Sequence, residues 1–403
     1  NFFFFFTIVL FISCGKTPVH KLEIGTYRAV LVVQDNQQLP FVFKVENDSL
    51  ITIYNAEERI IVDEITYKND SVRIQTPVFE GYIQAKITND GLSGSFIKPS
   101  LDRIVPFKAV KNTNERFSIK ATKTTTNITG NWETIFSQNS EKDKYIAKGI
   151  FTQRGTHVTG TFRTTTGDYR YLEGVVDGDS LKLSTFDGAH AFLFTAKITD
   201  STLTGNFYSG NHWKEPFTAR LNNTYELPSA NELTYIKKGY DKLAFSFPDK
   251  NGKSISLTDK QFQNKVVLVQ IMGTWCPNCL DESKYYSQFY NQYKKEGLEI
   301  VALAFEYAKT KEKAFQKINR LQKRIGINYP ILLAQYGTEN KTLAQEKLPM
   351  LNHIISYPTT VFIGKKGNVR KIHTGFNGPA TGQKHINFKK EFKTFVTGLL
   401  QEE

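Results

Sequence analysis

Between residues 21 and 222 short apolar runs alternate with polar positions and are broken by Asp, Asn and Gly turns. Phe41-Val42-Phe43-Lys44-Val45, Leu50-Ile51-Thr52-Ile53-Tyr54 and Ile83-Gln84-Ala85-Lys86-Ile87 are typical. None is long enough for a helix, and the spacing predicts antiparallel strands. Beyond Leu227-Pro228 the pattern changes. Residues 230–240 predict a short connecting helix that ends near Gly239. Residues 266–272, apolar except for Gln270, predict a strand covered on both faces. Helices are predicted at 276–295, with Tyr286, Phe289, Tyr290 and Tyr293 on an inner stripe and Gly297 as the stop, and at 311–325 and 388–400. Strands are predicted at 300–305 and 329–333, and a hairpin joins 360–363 to 369–373. That order of elements is α/β with a mixed sheet.

The β-rich half repeats itself. Asp70-Ser71-Val72, Ala85-Lys86-Ile87-Thr88, Leu92-Ser93-Gly94 and Pro106-Phe107-Lys108-Ala109 recur as Asp179-Ser180-Leu181, Ala196-Lys197-Ile198-Thr199, Leu203-Thr204-Gly205 and Pro216-Phe217-Thr218-Ala219. The offset stays between 109 and 111 residues, which marks a duplicated module. The predicted architecture is therefore multidomain: two tandem antiparallel β barrel or sandwich repeats followed by an α/β domain. The expected boundaries are 20–112 and 130–224 for the repeats, 113–129 for a Thr-, Asn- and Lys-rich linker, 225–240 for a connecting segment and 241–403 for the α/β domain. Small barrels fill their interiors with side chains, so a spacer or docking platform is the favoured role of the repeats over a ligand pocket. Asp48-Ser49-Leu50, Asp70-Ser71-Val72 and Asp179-Ser180-Leu181 resemble an O-glycosylation signal, and read more simply as turns that open strands.

A formal charge of +13 permits nucleic-acid binding, yet no finger, helix-turn-helix or RNA-recognition signature accompanies it. Three Cys exclude a disulfide-stapled scaffold, and the seven His form no close metal-ligand pair. Residues 2–12 form an apolar run too short to span a bilayer but suited to a signal-peptide core. The following Ser13-Cys14-Gly15 resembles the bacterial lipobox, with Phe11 where Leu is usual. Residues 1–19 are thus expected to be a signal peptide and tether, with Cys14 lipidated and the protein anchored in the cell envelope, facing the periplasm. The competing reading is a buried strand with a chance Cys.

Between the 266–272 strand and the next helix lies Gly273-Thr274-Trp275-Cys276-Pro277-Asn278-Cys279. Two thiols three positions apart can close a short disulfide. A helix N-terminus, with free N–H groups and a partial positive charge, stabilises a thiolate at the first of them. Pro277 suits the first turn, where its missing N–H removes nothing. Cys276 is the expected nucleophile and Cys279 the resolving thiol. A structural zinc lacks a second ligand pair, and a c-type haem site needs His where Leu280 stands.

Residues 241–403 resemble the TlpA/ResA-like branch of the thioredoxin family, membrane-tethered bacterial thiol-disulfide oxidoreductases. The resemblance rests on Val266-Val267-Leu268-Val269 leading into Trp275-Cys276-Pro277-Asn278-Cys279, on Glu282, and on Tyr357-Pro358-Thr359-Thr360-Val361-Phe362-Ile363. The 311–333 segment resembles the helix and strand this branch inserts. The resemblance implies a thioredoxin-like fold and a cis Pro358 facing the dithiol. It also implies substrate contacts at Trp275, Pro277, Asn278, Tyr357 and Pro358. Without the cysteine pair, Pro358 reads as an ordinary trans edge proline.

Glu282 either faces the cysteines, where it would take the resolving thiol's proton, or faces solvent, where with Asp281 it complements the helix dipole; the resemblance favours the first. Glu306, at a strand end, is a weaker candidate. The basic residues from Lys309 to Arg324 interleave with Phe315, Ile318, Leu321 and Ile325, which predicts a buried stripe under a solvated charged face.

The expected activity is cell-envelope protein-disulfide reduction without metal or organic cofactor. Its expected partners are disulfide-containing envelope proteins such as apocytochromes, a membrane thiol donor and the lipid anchor, with no nucleic acid. The alternative is an envelope binding protein whose repeats capture a ligand and whose redox domain is accessory. A one-cysteine thiol peroxidase is disfavoured by Trp275 preceding Cys276.

Overall fold

A computed structural model of the chain describes residues 20–120, 126–354 and 356–403. The expected signal peptide, its Cys14 and part of the expected linker lie outside the described residues. Among the described residues no helix is long and apolar enough to cross a membrane.

The alternating runs become two nine-stranded antiparallel sheets. In the first, strand Gly25–Val32 pairs with both Gln38–Asn47 and Arg103–Lys111, and the row ends at Glu58–Val62 and Glu64–Lys68, which are not joined. In the second, strand Gly130–Phe136 pairs with Tyr145–Arg154 and Trp213–Leu221, and Tyr145–Arg154 also pairs with His157–Thr164. That last ladder closes the sheet into a barrel, with the two-residue strand Gly167–Asp168 attached at its side. The barrel interior is filled by Phe136, Phe162, Phe194, Phe207 and Phe217, as expected for its size.

The duplication extends to register. Gly94 stands opposite Ala85 and Phe107, and Gly205 opposite Ala196 and Phe217. Each glycine answers a close approach: a Cβ on Gly205 would overlap the Thr195 carbonyl and Ala196, and one on Gly94 the Gln84 carbonyl and Ala85. The two β units also share a core. Phe186 of the second stacks on Phe41 of the first at 4.3 Å, and Asn55 Nδ2 donates to the Phe186 carbonyl at 3.0 Å.

The α/β domain holds a five-stranded sheet ordered Ile331–Gln335, Leu298–Phe305, Val266–Met272, Thr359–Ile363, Val369–Thr374. The first three are parallel and the last two antiparallel. Period-two alternation splits the central strands between two cores. Leu268, Ile300 and Ala302 pack with helices α1 (Pro277–Tyr293), α2 (Lys311–Ile325) and α4 (Gln383–Gln401). Val267, Val269 and Val301 face Leu243, Phe262 and α3 (Lys341–Lys347), a short helix the periodicity did not announce. Gly297 at φ 99° follows the turn that ends α1, and Gly326 at φ 69° caps α2.

One expectation fails and another holds only in part. Residues 230–240 form no helix. They run as a strap whose backbone is used elsewhere: Thr374 N–H donates to the Ala230 carbonyl, Lys237 N–H to Met350, and Asn352 N–H to Tyr235. Leu233, Ile236 and Tyr240 are spaced for a helix, but Ile236 is instead held extended by its bridge to Leu351 and packs on the α/β core from there. The charged side of α2 is solvated only in part: Lys311, Lys313 and Lys323 are exposed, and the other basic residues of the stretch meet carboxylates. Lys309 pairs with Asp102, Lys317 with Glu80, Arg320 with Glu64, and Arg324 with Asp63 and Glu64, all on the first β unit. A charged helix face has one periodicity whether water or carboxylates meet it.

Gly205→Ala is expected to cost about 2–3 kcal/mol through overpacking. Gly398→Ala, on the exposed side of α4 with no atom within 4 Å of the added methyl, should instead gain about 0.5–1 kcal/mol. Urea unfolding of both variants checks the pair.

Candidate active site

The wholly buried strand Val266–Met272 delivers the chain to Gly273, and α1 begins four residues later with Cys276 as its N-cap. Cys276 and Cys279 are joined as a disulfide with Cα atoms 5.2 Å apart. The Cys279 N–H donates to Cys276 Sγ at 3.1 Å, so the cap of the helix is the sulfur itself. Cys279 is fully buried and Cys276 is 6% exposed, far less open than an exchange nucleophile at a free surface. Cys276 Sγ lies 3.3 Å from the carbonyl oxygen of Tyr357, and the Tyr357–Pro358 bond is cis. Trp275 is fixed by its Nε1–H donating to the Phe305 carbonyl and by stacking on Tyr307 at 4.0 Å.

Two carboxyls are buried around this turn. Glu306 accepts from both the N–H and the hydroxyl of Thr274 at 2.7 Å, which ties the end of one strand to the turn after its neighbour. Glu282 faces the sheet, not solvent: it accepts from Gln270 Nε2 at 2.8 Å and Thr360 Oγ at 3.1 Å. Burial pushes each up to about 7 and outweighs the hydrogen bonds that favour the charged form. The alternative of Glu282 as a solvent-side dipole partner is thereby removed. Asp281, its neighbour, pairs with Arg170 of the second β unit.

Arg170 belongs to a loop that sequence reasoning passed over. Residues 165–171 run along the barrel rim and over the dithiol motif, with Gly167–Asp168 still paired to Arg163–Thr164 and Tyr169 packed on the barrel core. Asn278 Nδ2 donates to the Asp168 carbonyl at 3.1 Å, Ser356 Oγ to the Thr166 carbonyl at 2.8 Å, and Arg170 Nη1 to the Pro277 carbonyl at 3.2 Å. Gly378 N–H donates to Asp168, whose carboxyl burial raises to about 6. Arg170 itself is buried among Glu58 of the first β unit, Asp187 of the second and Asp281 of α1. Burial opposes its charge, and these three carboxylates together hold its pKa above the ordinary value.

The two repeats differ here only locally: the strand that follows Leu50–Asn55 after two residues is Glu58–Val62, whereas its counterpart, two residues after His157–Thr164, is just Gly167–Asp168, so no insertion in the sequence marks this segment. Among the described residues no cluster of three or more His, Cys, Asp or Glu is arranged to hold a metal.

Residues 237–386 match the Redoxin family. The thiol-disulfide oxidoreductase ResA of Bacillus subtilis is 31% identical over 160 residues, which cover 40% of this chain and 79% of that protein. The chain belongs to the ResA-like thiol-disulfide oxidoreductases of the thioredoxin family. The ResA of Geobacillus thermodenitrificans is 29% identical over 144 residues, 36% of this chain and 73% of that one. Among solved structures, a thiol:disulfide interchange protein from Chlorobium tepidum is 22% identical over 41% of this chain and 99% of its own, with a TM-score of 0.30. A thiol-disulfide oxidoreductase from Bacteroides fragilis is 17% identical over 37% and 99%, with a TM-score of 0.28. The Redoxin match, residues 237–386, falls on the α/β domain and the end of the strap before it.

Arg170→Met removes the cation shared by Glu58, Asp187 and Asp281, leaving Asp187 to His190 and Asp281 to Lys284, and is expected to cost about 3–5 kcal/mol in urea unfolding. Glu282 titrates at about 7 in the folded protein against 4.5 ordinarily, so between those values the native state holds a proton that the unfolded chain releases. Stability from this group is therefore complete below pH 4.5 and falls as pH rises to 7, by on the order of 3 kcal/mol. Glu282→Gln should flatten that part of the stability profile of the oxidised protein, measured by urea unfolding at pH 5 and pH 8.

Proposed function

We propose that this oxidoreductase is a cell-envelope protein-disulfide reductase, tethered through a lipidated Cys14, that works by dithiol–disulfide exchange through Cys276 and Cys279. The observation that carries the reading is the sulfur of Cys276 at the N-terminus of α1, bonded by the Cys279 N–H and set against the cis Tyr357–Pro358 peptide. Helix N–H groups favour a thiolate at that position.

In the reduced protein the Cys276 thiolate attacks one sulfur of the substrate disulfide, forming a mixed disulfide and releasing the other sulfur as a thiolate. The Cys279 thiolate then attacks Cys276 Sγ, closes Cys276–Cys279 and frees the second substrate sulfur. Two electrons pass from the protein to the substrate, and two protons end on the substrate thiols. Glu282, protonated or not near pH 7, is the group suited to receive the proton that Cys279 loses. The sulfur pair carries both electrons, so no metal or organic cofactor takes part. A membrane thiol carrier restores the dithiol by the same exchange. Trp275, Pro277, Asn278, Tyr357 and Pro358 border the reacting sulfur and form the substrate contacts.

Reduction of a disulfide-linked peptide by the full chain should vanish in Cys276→Ser. Cys279→Ser should accumulate a mixed disulfide on Cys276, detected by mass spectrometry. The couple should lie nearer about −270 mV than about −120 mV in equilibrium with glutathione or dithiothreitol. Retained reduction in Cys276→Ser sinks the exchange mechanism, and a potential at the oxidising end sinks the reducing direction.

A further inference from the structure

The space above the dithiol is shared by two domains. It is a cleft of about 580 Å³, with Trp275, Cys276, Asn278 and Tyr357 on the redox side and residues of the second barrel opposite. Tyr145, Phe192 and Phe207 of the barrel and Trp275, Tyr307 and Tyr357 of the redox domain give it aromatic walls.

The barrel side is built, not incidental. Glu215, buried in the barrel mouth, accepts from Tyr145 and Ser137 hydroxyls at 2.6 Å, and the Tyr145 and Tyr169 hydroxyls are 2.6 Å apart. Exchange at Cys276 has no use for this network, and it fixes the tyrosine rings that border the cleft. On the redox side, Asn278 borders the cleft and its Oδ1 is buried without a hydrogen-bond partner.

We propose that the second β barrel is the substrate-binding half of the active site, and that its cleft admits a narrow, extended cysteine-bearing peptide segment with apolar or aromatic neighbours. Disulfides on the surface of folded proteins are excluded. The inference rests on thiol exchange at Cys276 as proposed above, and it names the substrate of that exchange.

Three observations select this occupant. A volume of about 580 Å³ falls within the roughly 300–1,000 Å³ of sites that enclose a drug-sized molecule, and a folded domain does not enter such a space. Cys276 is only 6% exposed, so a partner must insert to reach it. The roof is held by the Arg170 ion pairs and by the Asn278–Asp168 and Ser356–Thr166 hydrogen bonds, which fix the aperture. Within it, the Tyr357 backbone beside Cys276 meets the peptide backbone, and the rings receive the flanking side chains. The chemistry is the exchange already balanced: the peptide disulfide gains two electrons and two protons, and Cys276–Cys279 forms.

Ser209 and Thr165 also line the cleft from the barrel side, so tryptophan at either position fills it while every redox-domain residue keeps its identity. The reduced full-length protein is assayed with a short unstructured disulfide-linked peptide carrying Phe beside Cys, and with insulin. Wild type should reduce the peptide with kcat/KM at least about tenfold above insulin. Ser209→Trp should lower the peptide value at least about tenfold, while the reduction potential of the Cys276–Cys279 couple and the melting temperature stay unchanged. Thr165→Trp serves where Ser209→Trp does not fold.

Equal reduction of peptide and insulin through Cys276, or a folded tryptophan variant as fast as wild type on the peptide, overturns the inference and leaves the reductase reading standing. Failure of wild type to reduce either substrate overturns both.

Discussion

The first turn of an α-helix has N–H groups that the helix cannot use, and in this protein one of them is given to sulfur. The Cys279 N–H points at Cys276 Sγ, and that contact requires the strand Val266–Met272 to end, the chain to turn over Gly273 to Trp275, and α1 to start within a few residues. Each flanking group serves this geometry. Pro277 starts the helix without losing a donor, Thr274 is anchored on Glu306, and Trp275 is pinned to the Phe305 carbonyl. The neighbouring antiparallel strand brings Tyr357 to the other side of the same sulfur.

Around that point the molecule places charge with economy. Glu282 and Glu306 are buried among neutral donors, so both sit near neutrality and can hold or release a proton at working pH. Arg170 does the reverse: it is buried among three carboxylates drawn from three parts of the chain and stays charged. Removing one partner of such a cluster leaves charge without compensation, which makes it a lock between domains more than a source of net stability. The seam between α2 and the first β unit is of another kind. Its pairs are partly exposed, individually weak and screened by salt, and they matter by number.

The duplicated β units have diverged in what they do. Both keep the same glycine-to-alanine register, so the packing constraint of the ancestral module persists in each. The first stays open and accepts Phe186 and its neighbours into its core, while the second closes and carries residues 165–171 along its rim over the dithiol. Enclosing a reactive disulfide between a barrel and a thioredoxin-like domain lowers the local dielectric, which strengthens every hydrogen bond made to sulfur there.

Local pattern alone settled much of this. The strands of the β half, the duplication, the α/β order and the start of α1 at Cys276 were all legible, because each is written in neighbouring residues as periodicity, a cap or a turn. So was the nature of the chemistry, since two cysteines at a helix start have few other uses. Three-dimensional structure alone decided which surfaces meet. The α2 charges are separated by some 200 residues or more from the carboxylates they pair with, Arg170 by 111 residues from Asp281, and nothing in the periodicity of either partner encodes the other. The burial of Cys276 under the second barrel is of the same origin. Residues 165–171 look like an ordinary turn, and their role arises only from where closure of the barrel aims them.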